Sequence, residues 1–470
     1  MQLTLVHMIF IILTTILVLG IGVYAGTRVE SAADFSTGGG KAGTSLVAGT
    51  IMGTFVGGSC TVGTAQLAFN VGASAWWFTL GGGIGCLLLG LYLAKPLRES
   101  GKETISQFLV TTYGPKSGPI ITIFSSIGMF LSFVAQILAA IALLSSMFQL
   151  NSISGALITI ILVICYVFFG GLKGAGMTGI AKLILLYGSL IVLGVLVYLK
   201  AGGISSLISG LPAFPYLSIF GRGFTVDLAA GLSVIVGVIS TQIYFQAMFA
   251  AKDAATAKRG ALVSACLIPL AGVAGILVGM YMKINFPTMN SAEALPNFVI
   301  YYLPPSMGGI VLGTLLVTVI GTGAGLTLAI STILTKDIYK RFISPQASEQ
   351  KLMYMSKGLI VAVACLSLLF VTENTKSMIL QWSFLSMGLR GATICFPLLG
   401  AIFFSTLVSP KAGLIALVAG PGADLVWKLC VPNGMDPLYV GLLASFVCLL
   451  IGSMIFPASK TPSMYKDINK

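Results

Sequence analysis

Apolar segments long enough to cross a lipid bilayer follow one another along this chain about thirteen times. They lie roughly at 5–25, 43–68, 73–94, 118–148, 153–171, 177–199, 226–250, 260–282, 307–334, 358–372, 377–405, 412–430 and 437–457. Only 8% of the 470 residues are charged, against about 25% in a soluble domain, so lipid must solvate much of the surface. Lipid offers the backbone no hydrogen-bond partner, which leaves helices or a closed barrel. The length of the apolar runs selects helices. The expected fold is therefore an all-α membrane protein, with residues 1–470 forming a single transmembrane domain.

The net charge of +13 is explained by its placement and needs no nucleic-acid partner. With the N-terminus outside, nineteen of the 26 Lys and Arg fall in cytoplasmic segments. Lys200, Arg222, Lys283, Lys376 and Lys428 fall outside, and Lys182 and Arg390 fall within spans. This is the positive-inside asymmetry of a multi-pass protein of the cell membrane. No Lys or Arg precedes Arg28, so the first apolar run lacks the basic start of a signal peptide and is expected to stay as a helix. The eight cysteines have no metal spacing and the one histidine, His7, sits at a span edge. A zinc site, a disulfide frame and a histidine proton relay are not expected.

Two spans carry glycine and hydroxyl residues at their middles. The second contains Gly53, Thr54, Phe55, Val56, Gly57, Gly58, Ser59 and Thr61; the seventh contains Gly237, Ser240, Thr241, Gln242, Tyr244 and Gln246. Small residues can serve tight helix packing. The Gly57-Gly58 pair flanked by hydroxyls also fits a helix interrupted beside a protein-lined cavity. Being five spans apart, the two segments have opposite orientations, as in an inverted repeat with broken helices around a midplane site. The expected solute site is lined by Thr54, Phe55, Gly57, Gly58, Ser59, Ser240, Thr241 and Gln242, with Gln136 of the fourth span as an outer member.

Three dispersed motifs resemble the sodium:solute symporter family: DFSTGGGKAG (34–43), FGGLKGAGMTG (169–179) and LTKDIYKRF (334–342). TFVGGSCTVGTA, LYLAKPLRESGKETI and QIYFQ are most similar to its high-affinity choline transporter branch. The resemblance implies a LeuT-type fold. Two inverted five-helix repeats, roughly 42–200 and 226–405, would have one extra helix before them and two after. It also implies a sodium-coupled symporter of a small organic solute, with no other cofactor. The sodium ligands would be Gly53, Val56, Thr318, Gly321 and Thr322. The first three would offer carbonyls and the last two hydroxyls, which Gly321 lacks. On the fifth core helix the family pattern has an Asp and, three residues on, a Gln. Gly179 and Lys182 stand there instead.

Ionisable groups inside a span are costly and mark function by default. Lys182 lies about a turn into its helix. It either snorkels to the cytoplasmic surface or turns inward, where its ammonium would bond the carbonyls of Gly53, Val56 and Thr318 in place of sodium. The inward arrangement gives the alternative function, a proton-coupled or sodium-independent carrier. Arg390 lies near the middle of its span and either bonds carbonyls of a broken helix or faces the solute. Two buried cations without buried acids slightly favour an anionic or zwitterionic solute. Choline fits less well. Phe55 and Thr241 replace two Trp expected in that branch, and only Tyr244, Phe245 and Trp382 remain to form an aromatic cage. A passive channel is a more distant alternative, needing a continuous polar pore. An enzyme would need paired acids or a Cys-His pair within the spans, and these are absent from the sequence.

The charge asymmetry sets an expected topology. Cysteine labelling should place the tail ending in Lys470 in the cytoplasm and the N-terminus on the opposite side. Two cytoplasmic termini would be incompatible with an odd number of crossings.

Overall fold

The computed structural model describes residues 3–26, 40–374, 377–431 and 434–456, apart from the side chains of residues 19, 22, 23, 25, 26 and 169–178. The motif at 34–43 therefore lies mostly outside the described residues, as do the side chains of 169–178. The helices that matter here are α1 (Leu5–Gly26), α2 (Thr44–Phe55), α3 (Thr64–Val71), α4 (Trp77–Leu88) and α5 (Ile105–Tyr113). They continue with α6 (Ser117–Phe148), α7 (Ser152–Ala201), α8 (Phe224–Val238), α9 (Gln242–Ala250) and α10 (Ala254–Asn285). The last are α11 (Pro305–Ile333), α12 (Glu349–Glu373), α13 (Ile379–Phe403), α14 (Pro410–Cys430) and α15 (Pro437–Ile455). No strand occurs among the described residues; one isolated parallel bridge joins Ala42 to Ala251.

Among the described residues ten helical stretches are long and apolar enough to cross a membrane, fewer than the thirteen expected from apolar runs. The other three are present as shorter apolar helices, Leu5–Val18, Thr44–Phe55 and Ser152–Phe168. The second span is divided by its break, so that α2 stands alone and a helical run continues from Ser59 to Glu99. The fifth and sixth spans lie in one helix, α7. Fifty residues of straight helix would extend about 75 Å, against a hydrocarbon core of about 30 Å. Tyr166 and Lys182 both come close to Gly321, although a straight helix would hold them about 24 Å apart. The helix therefore bends between them, where five glycines fall within 169–179.

Helices α6 and α11 form the buried centre, with most of their residues hidden from the surface. The second half of α7, with α12, α14 and α15, exposes Ile184, Ile191, Leu369, Leu429 and Met454, side chains suited to lipid. Burial of apolar area cannot drive helix association in lipid, so close packing must contribute. The GILVG segment of α10 shows how. A Cβ on Gly279 would lie 2.9 Å from the Ala68 Cβ, and one on Gly275 3.3 Å from the Thr61 carbonyl.

Both expected breaks are present. Helix α2 stops at Phe55, Val56 leaves helical geometry, and the chain resumes through a π-helical turn at Ser59–Gly63. Helix α8 stops at Val238, Thr241 is extended, and α9 begins at Gln242. The far ends of the two broken helices are tied together, because Ala42 N–H donates to the Ala250 carbonyl (2.9 Å) and Lys252 N–H to the Ala42 carbonyl (3.0 Å).

Candidate functional site

Between the two breaks lies a cavity of about 20 Å³, room for little more than one water. Phe55, Phe78 and Tyr244 form one wall. Phe55 stacks on Phe78 with ring centres 5.2 Å apart and lies 6.2 Å from Tyr244. The facing wall is polar, with Ser59, Ser132, Gln136, Thr322, Ser383 and Arg390, and Thr54, Leu326 and Met387 complete the lining. Helix breaking leaves the Gly58 N–H without an intrahelical acceptor. Gln136 supplies one through Oε1 (2.7 Å) and donates from Nε2 to Ser59 Oγ (3.0 Å), which in turn contacts Ser383 Oγ (2.7 Å).

Beside this cavity the expected cation position is filled from within the chain. Lys182 is 2% exposed and does not snorkel. Its Nζ donates to the Gly53 carbonyl, to the Thr318 carbonyl (3.4 Å) and to Thr322 Oγ1 (3.3 Å). Thr322 Oγ1 also donates to the Gly53 carbonyl (3.2 Å). A Cβ at Gly321 would lie 3.5 Å from Lys182 Nζ and 3.6 Å from the Tyr166 hydroxyl, ordinary contact distances, so both groups stand directly against this position. Gly179 packs so closely on α2 that a Cβ would stand 2.5 Å from the Gly49 carbonyl. Lys182 makes no hydrogen bond to Val56. The oxygens fit a cation, and Lys182 is already theirs. Among the described residues no cluster of His, Cys, Asp or Glu could hold a metal ion.

Arg390 is fully buried, with its stem lying over Gly128. Nε donates to the Ser386 carbonyl (3.0 Å), Nη1 to Thr241 Oγ1 (2.8 Å), and Nη2 to Ser132 Oγ (3.1 Å) and Ser386 Oγ (2.7 Å). Hydroxyls rather than the carbonyls of a broken helix thus supply most of its partners.

Of the expected solute residues, Thr54, Phe55, Ser59 and Gln136 line the cavity, and Thr241 reaches it through Arg390. Gly57 and Gly58 sit behind the lining. A Cβ on Gly57 would press on Gln136 Oε1 and Thr322 Oγ1, and one on Gly58 on Ala139 and Val319. Ser240 is buried without a hydrogen-bond partner and does not line the cavity. Gln242 points away: its Oε1 accepts from the Ile105 N–H (2.9 Å) and its Nε2 donates to the Glu103 carbonyl (3.3 Å). The loop it holds is also fastened by a Lys336–Glu103 ion pair and by Thr104 Oγ1 donating to Asp337 (3.1 Å). Tyr244, Phe245 and Trp382 do not form a cage. Tyr244 lines the cavity, while Trp382 lines a separate pocket of about 460 Å³ toward the start of α13, beyond Phe384. Phe78, Ser132, Leu326, Ser383 and Met387 were not anticipated. Ser383, Met387 and Arg390 follow one helical face at i, i+4 and i+7, a pattern legible in QWSFLSMGLR.

Two broken helices facing each other across an occluded cavity inside a helical bundle define a membrane transporter of LeuT type. The chain belongs to the sodium:solute symporter family, whose model matches residues 35–420. It is similar to the high-affinity proline transporter PutP of Bacillus subtilis (strain 168), at 22% identity, covering 93% of this chain and 96% of that one. An uncharacterized symporter, YwcA, from the same organism is 23% identical over 74% of this chain and 71% of its own. The high-affinity choline transporter 1 of Drosophila melanogaster is 24% identical over 76% of this chain, which spans 60% of that protein. Among solved structures, a Na+-coupled sialic acid symporter in a substrate-bound outward-open state superposes with a TM-score of 0.82 at 17% identity. That match covers 98% of this chain and 100% of the symporter. Mhp1, a nucleobase-cation-symport-1 family transporter, gives 0.58 at 12% identity, covering 92% and 97%.

Gly58 packs closely on α6 and α11 behind the site. Gly58→Ala would drive a methyl into Ala139 and within 3.0 Å of Val319 Cγ2. Overpacking of this kind costs about 1–3 kcal/mol, so the detergent-solubilised variant should unfold at a lower temperature than the parent. An unchanged midpoint would show that the close approach does not exist.

Proposed function

We propose that this chain is a secondary active carrier of a small organic solute, and that Lys182 takes the part that a bound sodium ion plays in a sodium-coupled symporter. The single observation that supports this reading is the convergence of the Gly53 carbonyl, the Thr318 carbonyl and Thr322 Oγ1 on Lys182 Nζ. A protonated lysine carries the same single charge as sodium, and it ties α2 to α11 through these oxygens. Deprotonation removes the charge and weakens the tie, so that gain and loss of one proton at Nζ can be coupled to opening and closing of the bundle. Relatives named for proline and choline support a cargo of that size. The cavity, now too small for either, must expand as one face opens.

The full arrangement we infer is one transmembrane domain of two inverted five-helix repeats with three additional helices, the N-terminus outside and the C-terminal tail in the cytoplasm. Solute enters between the two helix breaks, with Thr54, Phe55, Ser59 and Gln136 contacting it and Gly57 and Gly58 allowing the backbone to approach. Sodium coupling is the second reading. It is supported by family membership and by the oxygens at Gly53, Thr318 and Thr322, with Val56 and Gly321 completing the expected set. It requires Lys182 to leave the position it holds.

Transport in proteoliposomes separates the two. With sodium replaced by potassium, uptake should persist in full and should be driven uphill by a proton gradient. Lys182→Gln should retain downhill exchange and lose uphill accumulation. Strict sodium dependence, together with concentrative uptake by Lys182→Gln, would eliminate the lysine mechanism and leave the sodium reading standing.

A further inference from the structure

Arg390 lines the central cavity with a charge that no acid among the described residues pairs with. Its hydrogen-bond partners are two serine hydroxyls, one threonine hydroxyl, one carbonyl and the Met387 thioether. All are neutral. One Nη1 N–H has no acceptor among the described residues. The buried acids are engaged elsewhere or lie apart: Asp227 pairs with Arg222, Asp337 accepts from Thr104 and Gln107, and Asp424 lines the separate pocket near Trp382. A buried cation is normally paired with an anion. Gly128 leaves the space for its stem, since a Cβ there would lie 2.5 Å from Arg390 Cγ.

We propose that the transported solute carries a carboxylate that pairs with Arg390. This inference rests on the carrier reading and names the chemical class of its cargo. A guanidinium presents its N–H groups as a planar fork that matches a carboxylate. On the opposite wall Phe55, Phe78 and Tyr244 suit an apolar body, while Ser59 and Ser383 can meet one hydroxyl or amino substituent. A solute with two negative charges would find one free cation, because Lys182 is engaged by its own oxygens. A quaternary ammonium would face Arg390 with a like charge and no acid in the cavity to offset it. The cargo is therefore a small solute with one carboxylate and an apolar portion, either a simple monocarboxylate or an amino acid bound through its carboxylate.

The test is a binding screen on the purified full chain in nanodiscs, using short aliphatic and aromatic monocarboxylates, α-amino acids, their amides, and quaternary amines. Thermal stabilisation and calorimetry should identify a carboxylate whose matching amide binds at least about thirtyfold more weakly, the minimum expected from truncating a buried charge pair. Arg390→Met should lose that binding by a similar factor, while Arg390→Lys should keep part of it. The unliganded Arg390→Met protein supplies the control. If the arginine serves the solute, removing its unpaired charge should leave the unfolding midpoint unchanged or raised. A lowered midpoint together with unchanged carboxylate affinity would make Arg390 a structural strut and overturn the proposal. So would equal binding of a carboxylate and its amide, or concentrative uptake of an amine unaffected by Arg390→Met. That last result would preserve the carrier reading, whereas absence of concentrative uptake for every solute that binds would strike the carrier reading and leave the carboxylate site in place.

Discussion

A helix interrupted inside a bilayer must find partners for the backbone groups it sets free, and the rest of this structure depends on how that debt at Phe55–Ser59 is met. Lipid offers no hydrogen bonds, and each unmet group costs several kcal/mol. The Gly58 N–H goes to Gln136 of α6, and the Gly53 carbonyl to Lys182 of α7 and Thr322 of α11. The Phe55 carbonyl accepts from Cys60 Sγ (3.3 Å). Three helices are thereby recruited to one break, and two of the side chains that repair it, Gln136 and Thr322, also line the cavity. The site and the repair share these groups.

This overlap lets occupancy of the cavity bear on Lys182. Thr322 lines the solute cavity and also meets both Lys182 Nζ and the Gly53 carbonyl. Its hydroxyl carries one proton, so a solute accepting from Thr322 competes with the Gly53 carbonyl for that donor. Occupancy of the cavity then alters the surroundings of the ammonium without any long-range relay. At the opposite end of the broken helices, the Ala42–Ala251 bridge joins the entry to α2 to the exit of α9, and Gln242 and Asp337 fasten the neighbouring loop.

Much of this was legible in the sequence because the bilayer limits the choices. Long apolar runs force helices, and a glycine pair between hydroxyls marks a break. A lysine and an arginine inside spans stand out because their burial is expensive. What stayed hidden is azimuth. Gln242 immediately follows the second break and reads as a solute ligand. In the fold the first turn of α9 aims it at Ile105, and counting along a chain that leaves helical geometry for three residues cannot supply that angle. Phe78 and Ser132 were missed for the opposite reason: each lies in an unbroken, mostly apolar or small-residue helix whose pattern distinguishes no face. Ser383 could have been found, since it shares a stripe with Arg390. The join between the fifth and sixth spans was also out of reach, because glycine-rich sequence reads as a loop when its hydrogen bonds cannot be seen.

The close approach of Gly179 to the Gly49 carbonyl has an evolutionary consequence. An acid at that position would have to displace the backbone of α2 to fit its Cβ. Regaining the acid would therefore disturb the packing of α7 on α2, while replacing the lysine would leave Thr322 as the donor to the Gly53 carbonyl. If Lys182 serves as the cation, as proposed above, that charge is inherited with the polypeptide rather than gathered from the medium.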